Sequence, residues 1–168
     1  MVATLRPEGA PPPVYDDRRD EFTLDIHHGG FFVGSGNVKS YVDERVCWFD
    51  SIEADTWSPL WFPDFAEQLG YQNNMSLKIY WLLPGKTLVD GLRLILSDAD
   101  TNVMAKCAED VKNLVVYFDH EDLYNDVNWD DVVANSELPK GHQPIQSAVC
   151  RKQSYTKVAY FLHKFEER

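Results

Sequence analysis

The chain is poor in cysteine and in basic charge, and it has no long apolar run. Its three cysteines, Cys47, Cys107 and Cys150, stand 60 and 43 residues apart. An odd, widely spaced set does not build a disulfide framework. Nor does it offer the close pairs from which a structural zinc site gathers four ligands. Inert buried thiols and a reducing, intracellular setting are expected, and neither a metal nor another cofactor. No stretch of 18 apolar residues occurs, so no helix able to cross a bilayer is expected. The opening MVATLRPEGAPPPVYDDRRDEF lacks the apolar core of a secretory signal. Lys and Arg number 16 against 27 Asp and Glu, a formal net charge of −11. That balance disfavours non-specific attraction to a phosphate backbone.

What is present is apolar and aromatic mass. Hydrophobic residues make up 44% and aromatics 13% of 168 residues, enough for one real core. Composition divides the chain in three. Residues 1–20 are rich in proline and charge, and read as a disordered tail. Residues 21–121 carry the dense apolar patterning of a domain. Residues 122–168 form an extension that begins acidic and becomes basic, with six basic and two acidic residues over 140–168. Within it Val158, Phe161, Leu162 and Phe165 recur at helical spacing. They predict an amphipathic helix over 154–166, to dock on the core or in a partner's groove.

Periodicity places the elements of the domain. Phe22, Leu24 and Ile26 alternate with polar residues, which marks a half-buried strand. Gly29-Gly30 interrupts it, and Phe31-Phe32-Val33 resumes extended structure. Strands at 38–42 and 46–49 flank Asp43-Glu44-Arg45, residues suited to a hairpin loop. Ser58 and Pro59 start a helix bearing Leu60, Trp61, Phe65 and Leu69, and Gly70 stops it. Pro63 is awkward inside it, so regular helix is expected from about residue 62. Leu77, Ile79 and Trp81 alternate as a strand, and residues 92–96 form a short one. Ser97 or Asp98 caps a second helix with an apolar face of Val103, Met104, Cys107 and Ala108. The run Leu114-Val115-Val116-Tyr117-Phe118 predicts a strand buried on both faces. The order strand–strand–helix–strand–strand–helix–strand predicts an α+β fold, the β-grasp or ubiquitin-like arrangement, with a mixed sheet and two helices.

Three stretches carry a family resemblance. They are Phe22-Thr23-Leu24-Asp25-Ile26-His27-His28-Gly29-Gly30, Tyr41-Val42-Asp43 through Trp48-Phe49-Asp50, and Leu82-Leu83-Pro84-Gly85-Lys86 through Asp90-Gly91-Leu92-Arg93. With Ser97-Asp98-Ala99-Asp100 and Val115-Val116-Tyr117, residues 21–121 resemble the Phox/Bem-like domain of plant Mutator-type transposases. The resemblance implies a ubiquitin-like fold and a non-catalytic protein–protein interaction module, with a nuclear location. It also leaves open an N-terminal fragment of a transposase that assists DNA-end recognition or transposase assembly. Leu96-Ser97-Asp98-Ala99-Asp100 is similar to half of the family's acidic motif. The other half, a dense acidic run, is replaced here by Pro84-Gly85-Lys86-Thr87-Leu88-Val89-Asp90. The first strand has His27-His28 where the family carries a lysine. Front-to-back self-polymerisation is therefore not expected.

An acidic patch of Asp90, Asp98, Asp100 and Glu109 is expected to bind a partner protein with a basic surface. A helix start uses such acids as caps too, so Asp98 and Asp100 have two readings. His27 and His28 are neighbours on a strand and face opposite ways, which rules out one shared ion. Gly34-Ser35-Gly36-Asn37 lacks the residues of a phosphate loop and reads as a hairpin connection. Trp57, Trp61 and Trp81 are spaced as core.

Overall fold

The structure is a computed structural model that describes residues 3–16, 20–34, 39–72 and 76–120, and the backbone of a strand at Arg151–Lys152. It is a mixed α+β fold. In chain order the strands are β1 (Thr4–Leu5), β2 (Glu21–His28), β3 (Phe31–Val33), β4 (Ser40–Val42) and β5 (Arg45–Glu53). A 3-10 turn at Ala54–Thr56 and helix α1 (Trp61–Gln68) follow. Then come β6 (Leu77–Leu82), β7 (Leu92–Leu94), helix α2 (Asp98–Val111), β8 (Asn113–His120) and β9 (Arg151–Lys152).

The main sheet runs β1-β5-β2-β8-β6-β7, with β9 also on β5. Its centre is a parallel pair, Thr23 opposite Asn113 through His27 opposite Tyr117. The other pairings are antiparallel. One face packs against both helices. Phe22, Leu24 and Ile26 of β2 meet Phe49 and Ile52 of β5, Leu114, Val116 and Phe118 of β8, and Trp81 of β6. Phe62, Phe65 and Leu69 from the α1 region and Met104 and Ala108 from α2 close this core. Each large side chain buried this way stabilises the fold by about 1.5–3 kcal/mol. Phe49 and Phe65 stack with centroids 4.3 Å apart, and Trp57 meets Phe22 edge-on at 5.7 Å.

Local chemistry explains the helix limits. Pro63 lies in the first turn of α1, where its missing N–H has no helical acceptor to lose. Gly70 takes φ 88° just past the helix, and the Tyr71 amide reaches back to the Ala66 carbonyl at 2.9 Å.

Four expectations are corrected. Residues 39–49 do not form a hairpin about Asp43-Glu44-Arg45. Instead β4 pairs with β3, and β5 pairs with β2. The two halves belong to one long ribbon bent at Gly29-Gly30 and at Asp43, which has φ 58°. The β3–β4 end folds over the sheet face away from the helices. There Phe32, Tyr41, Tyr80 and Tyr117 form a second aromatic cluster, with centroids 4.9–5.7 Å apart. A Cβ on Gly30 would lie 2.2 Å from the Val42 carbonyl oxygen, so only glycine allows the bend.

The stretch expected as a disordered tail contains β1, and Ala3 and Leu5 pack against the core. The edge of β5 supplies the backbone partners that composition alone does not reveal. The strand expected at 92–96 ends at Leu94, since the Leu96 and Ser97 amides turn to cap α2. Cys47 is disulfide-bonded where an inert thiol was expected, and its partner lies outside the described residues. The neighbouring Val46 pairs with Arg151, so distant chain passes beside Cys47. The helix expected over 154–166 lies outside the described residues.

Candidate interaction face

The acidic residues singled out by the sequence lie around β7 and α2, at the sheet edge opposite β5. Asp90 precedes β7 in a tight loop. Its carboxylate accepts the Thr87 N–H at 2.8 Å and the Thr87 hydroxyl at 2.7 Å. Lys86 Nζ approaches it at 3.8 Å. The Thr87 hydroxyl, then the Thr87 amide, hold the Asp90 carboxyl below the usual carboxylate range.

Asp100 is a cap. One of its oxygens accepts the Leu96 N–H and the Ser97 N–H, both at 2.9 Å, and the Ser97 hydroxyl at 3.1 Å. These donors, the Leu96 amide first, hold its carboxyl below the usual range. Reciprocal bonding between an N-cap serine and an acid three residues on fixes the helix start. Asp98, at the first position of α2, accepts the Ser58 hydroxyl at 3.3 Å. That bond ties the entry of α1 to the entry of α2. Ser58 also accepts the Leu60 N–H at 3.3 Å.

The arrangement gathers Asp98 and Asp100 in one helical turn and places Asp90 at the other end of β7. Glu109 does not join them. It is exposed on α2 three turns beyond Asp98, or about 16 Å at 1.5 Å per residue. Sequence reasoning missed the apolar members of the face. Leu60 is 82% exposed and Leu96 is 78% exposed. Each is adjacent, through the hydrogen bonds just described, to the helix start that carries the acids. The local chemistry is carboxylate beside exposed leucine.

His27 and His28 separate as strand alternation requires. His27 stacks on Tyr117 at 4.6 Å on the outer face, with Nδ1 2.5 Å from Glu44. His28 is fully buried on the other face, with Nδ1 2.7 Å from the Tyr71 hydroxyl and Nε2 3.3 Å from Cys47 Sγ. His120, at the end of β8, stacks on the Tyr71 ring at 4.2 Å. It is 1% exposed, and neither ring nitrogen has a hydrogen-bond partner among the described residues. Arg45 donates to the Tyr71 hydroxyl at 3.2 Å. Burial, then the charge of Arg45, pushes His28 down to about 3 and His120 down to about 4. This cluster had no signal in the sequence, because its members come from four separate segments. Among the described residues no group of three or more His, Cys, Asp or Glu could hold a metal ion, and no helix is long and apolar enough to cross a membrane.

No curated protein and no solved structure matches the chain. A family model does, over residues 18–121, well over half of the chain. The matched span runs from just before β2 to just after β8, and it takes in both helices and the whole candidate face. On that match the chain belongs to the PB1-like domain family, a family of protein-interaction modules.

Proposed function

We propose that the chain is a non-catalytic adaptor of transposase-derived origin, which engages a basic protein surface through the start of α2. The observation that carries this reading is the pairing of Asp98 and Asp100 with exposed Leu60 and Leu96 on a PB1-like domain. The three sequence stretches that resemble plant Mutator-type transposases support the origin. This reading places the chain inside the cell, in the nucleus.

Exposed charges are each worth about 0.2–1 kcal/mol and act mainly on association rate and specificity. A partner captured from plant nuclear extract should bind more weakly as salt rises. Asp98→Lys with Asp100→Lys should slow its association. Losing the Asp100 cap should also cost about 0.5–2 kcal/mol, so a thermal melt must show that the variant stays folded. A folded double variant that associates at the wild-type rate in low salt sinks the acidic-face reading. The basic stretch at 140–168 favours a second reading, assistance in DNA-end recognition. A salt-dependent DNA mobility shift by the full chain would support that reading, and no shift would remove it.

A further inference from the structure

The opposite edge of the sheet is completed by residues that the family match does not cover. Residues 4–6 lie outside 18–121, yet they complete the edge of β5. Thr4 pairs with Asp50, Leu5 pairs with Phe49, and the Arg6 N–H donates to the Trp48 carbonyl at 2.8 Å. Leu5 packs against the core. The Arg6 guanidinium donates twice to the Asp50 carboxylate, at 2.7 and 2.5 Å, and its carbon stands 5.4 Å from the Trp48 ring centre.

The receiving edge is shaped for this contact. Register slips between Phe22 and Leu24, leaving Asp50 and Ser51 opposite Thr23 alone, and Ser51 takes φ 58°. The bulge keeps Asp50 within reach of both the Thr23 hydroxyl, at 2.7 Å, and Arg6. It also frees the Ser51 N–H, which donates to the Tyr15 hydroxyl at 3.0 Å. Tyr15 is bonded to the Thr23 hydroxyl too, at 2.8 Å. Between these anchors Pro7 and Pro11-Pro12-Pro13 stiffen the chain. The segment thus meets the edge at a few separate points, as a tethered ligand would.

We propose that the outer edge of β5 is a strand-receiving groove for an extended protein segment in which an apolar residue precedes an arginine, and that residues 4–6 are its resident occupant. Backbone pairing supplies the docking mode, and the side chains supply the selection. The apolar residue fills the place of Leu5. The arginine meets Asp50 in a two-pronged contact that lysine does not reproduce, over the face of Trp48. A partner bearing this pair enters by displacing the chain's own strap. This surface lies across the sheet from the acidic face, so its failure leaves the preceding reading untouched.

The test uses the full chain, an Arg6→Glu variant of it, and a labelled peptide with the sequence of residues 1–16. Arg6→Glu sets like charge against Asp50 and loosens the resident strap. Fluorescence polarisation should show the peptide binding the variant at least tenfold more tightly than wild type, whose groove is filled. A peptide carrying Arg6→Glu should bind neither chain. Adding Asp50→Asn to the variant should remove peptide binding. Equal binding to both chains, or to neither, overturns the proposal. Circular dichroism checks the fold, with Arg6→Ala as a milder second variant. If both variants unfold, the strap is an integral part of the fold and the proposal also fails.

Discussion

Acidification from about pH 8 to about pH 5.5 should destabilise the domain through two residues, His28 and His120. Both are buried and neutral in the fold. Around His28 stand Arg45, His27, His120, the Tyr71 hydroxyl and Cys47; around His120 stand Arg45 and the Tyr71 ring. Among the described residues named here no carboxylate stands to welcome a proton. The folded values, about 3 and about 4, lie below the unfolded value of 6.5. The unfolded chain therefore binds protons first as pH falls. Stability is complete above the unfolded value and is lost as pH drops from there toward the folded values. At about pH 5.5 each histidine contributes a loss of about 1.4 kcal/mol, or about 3 kcal/mol together. Against a total of about 5–15 kcal/mol this is a large share. The half-buried Asp25 and Asp43 titrate higher than usual because of partial burial and act in the opposite sense, but in the carboxylate range. Urea melts across this pH range at constant ionic strength would read the effect. His120→Phe keeps a ring against Tyr71 and removes the unbonded nitrogens, so it should halve the pH dependence. A loss below about 0.5 kcal/mol in wild type, or an unchanged slope in His120→Phe, would refute the reasoning.

The bend in the long ribbon yields two further predictions. Gly30→Ala forces a methyl group against the Val42 carbonyl and should cost about 1–3 kcal/mol in a urea melt; a cost below a few tenths would mean the ribbon shifts freely. Tyr41→Phe removes a hydroxyl that donates to the Phe118 carbonyl at 2.6 Å and accepts the Gly30 N–H at 3.2 Å. Leaving buried backbone groups unpaired should cost about 1–3 kcal/mol, and a neutral result would show that water replaces the hydroxyl.

What the sequence reveals and what it hides follow from the range of each interaction. The alternation of Phe22, Leu24 and Ile26 and the stop at Gly70 depend on residues a few positions apart. The Ser97–Asp100 cap is equally local, yet it changes the meaning of the site. Asp100 was singled out for a partner, and its carboxylate is largely engaged with amides of its own chain. The cap keeps the charge in place at the helix start. Arg6 with Asp50 and His28 with Tyr71 are separated by 44 and 43 residues, and no local pattern records such contacts. The β3–β4 ribbon was read as strands but not as a fold-back, because its turn depends on tertiary packing over Tyr117. Leu60 and Leu96 sat in helical and strand patterns as core candidates. Only their position outside the packed layers exposes them.

The parallel pairing of β2 with β8 also determines how the domain bears force. The chain enters the matched domain at the start of β2 and leaves it at the end of β8, and these two strands lie side by side over five residue pairs. Tension drawn through the flanking segments pulls β2 backward and β8 forward along their own axes. Such a pull strains the whole central ladder in shear, with every interstrand hydrogen bond resisting at once. An antiparallel pair with both ends at one side would instead unzip one bond at a time. The strands that join this module to its neighbours in the chain thus form its mechanical clamp.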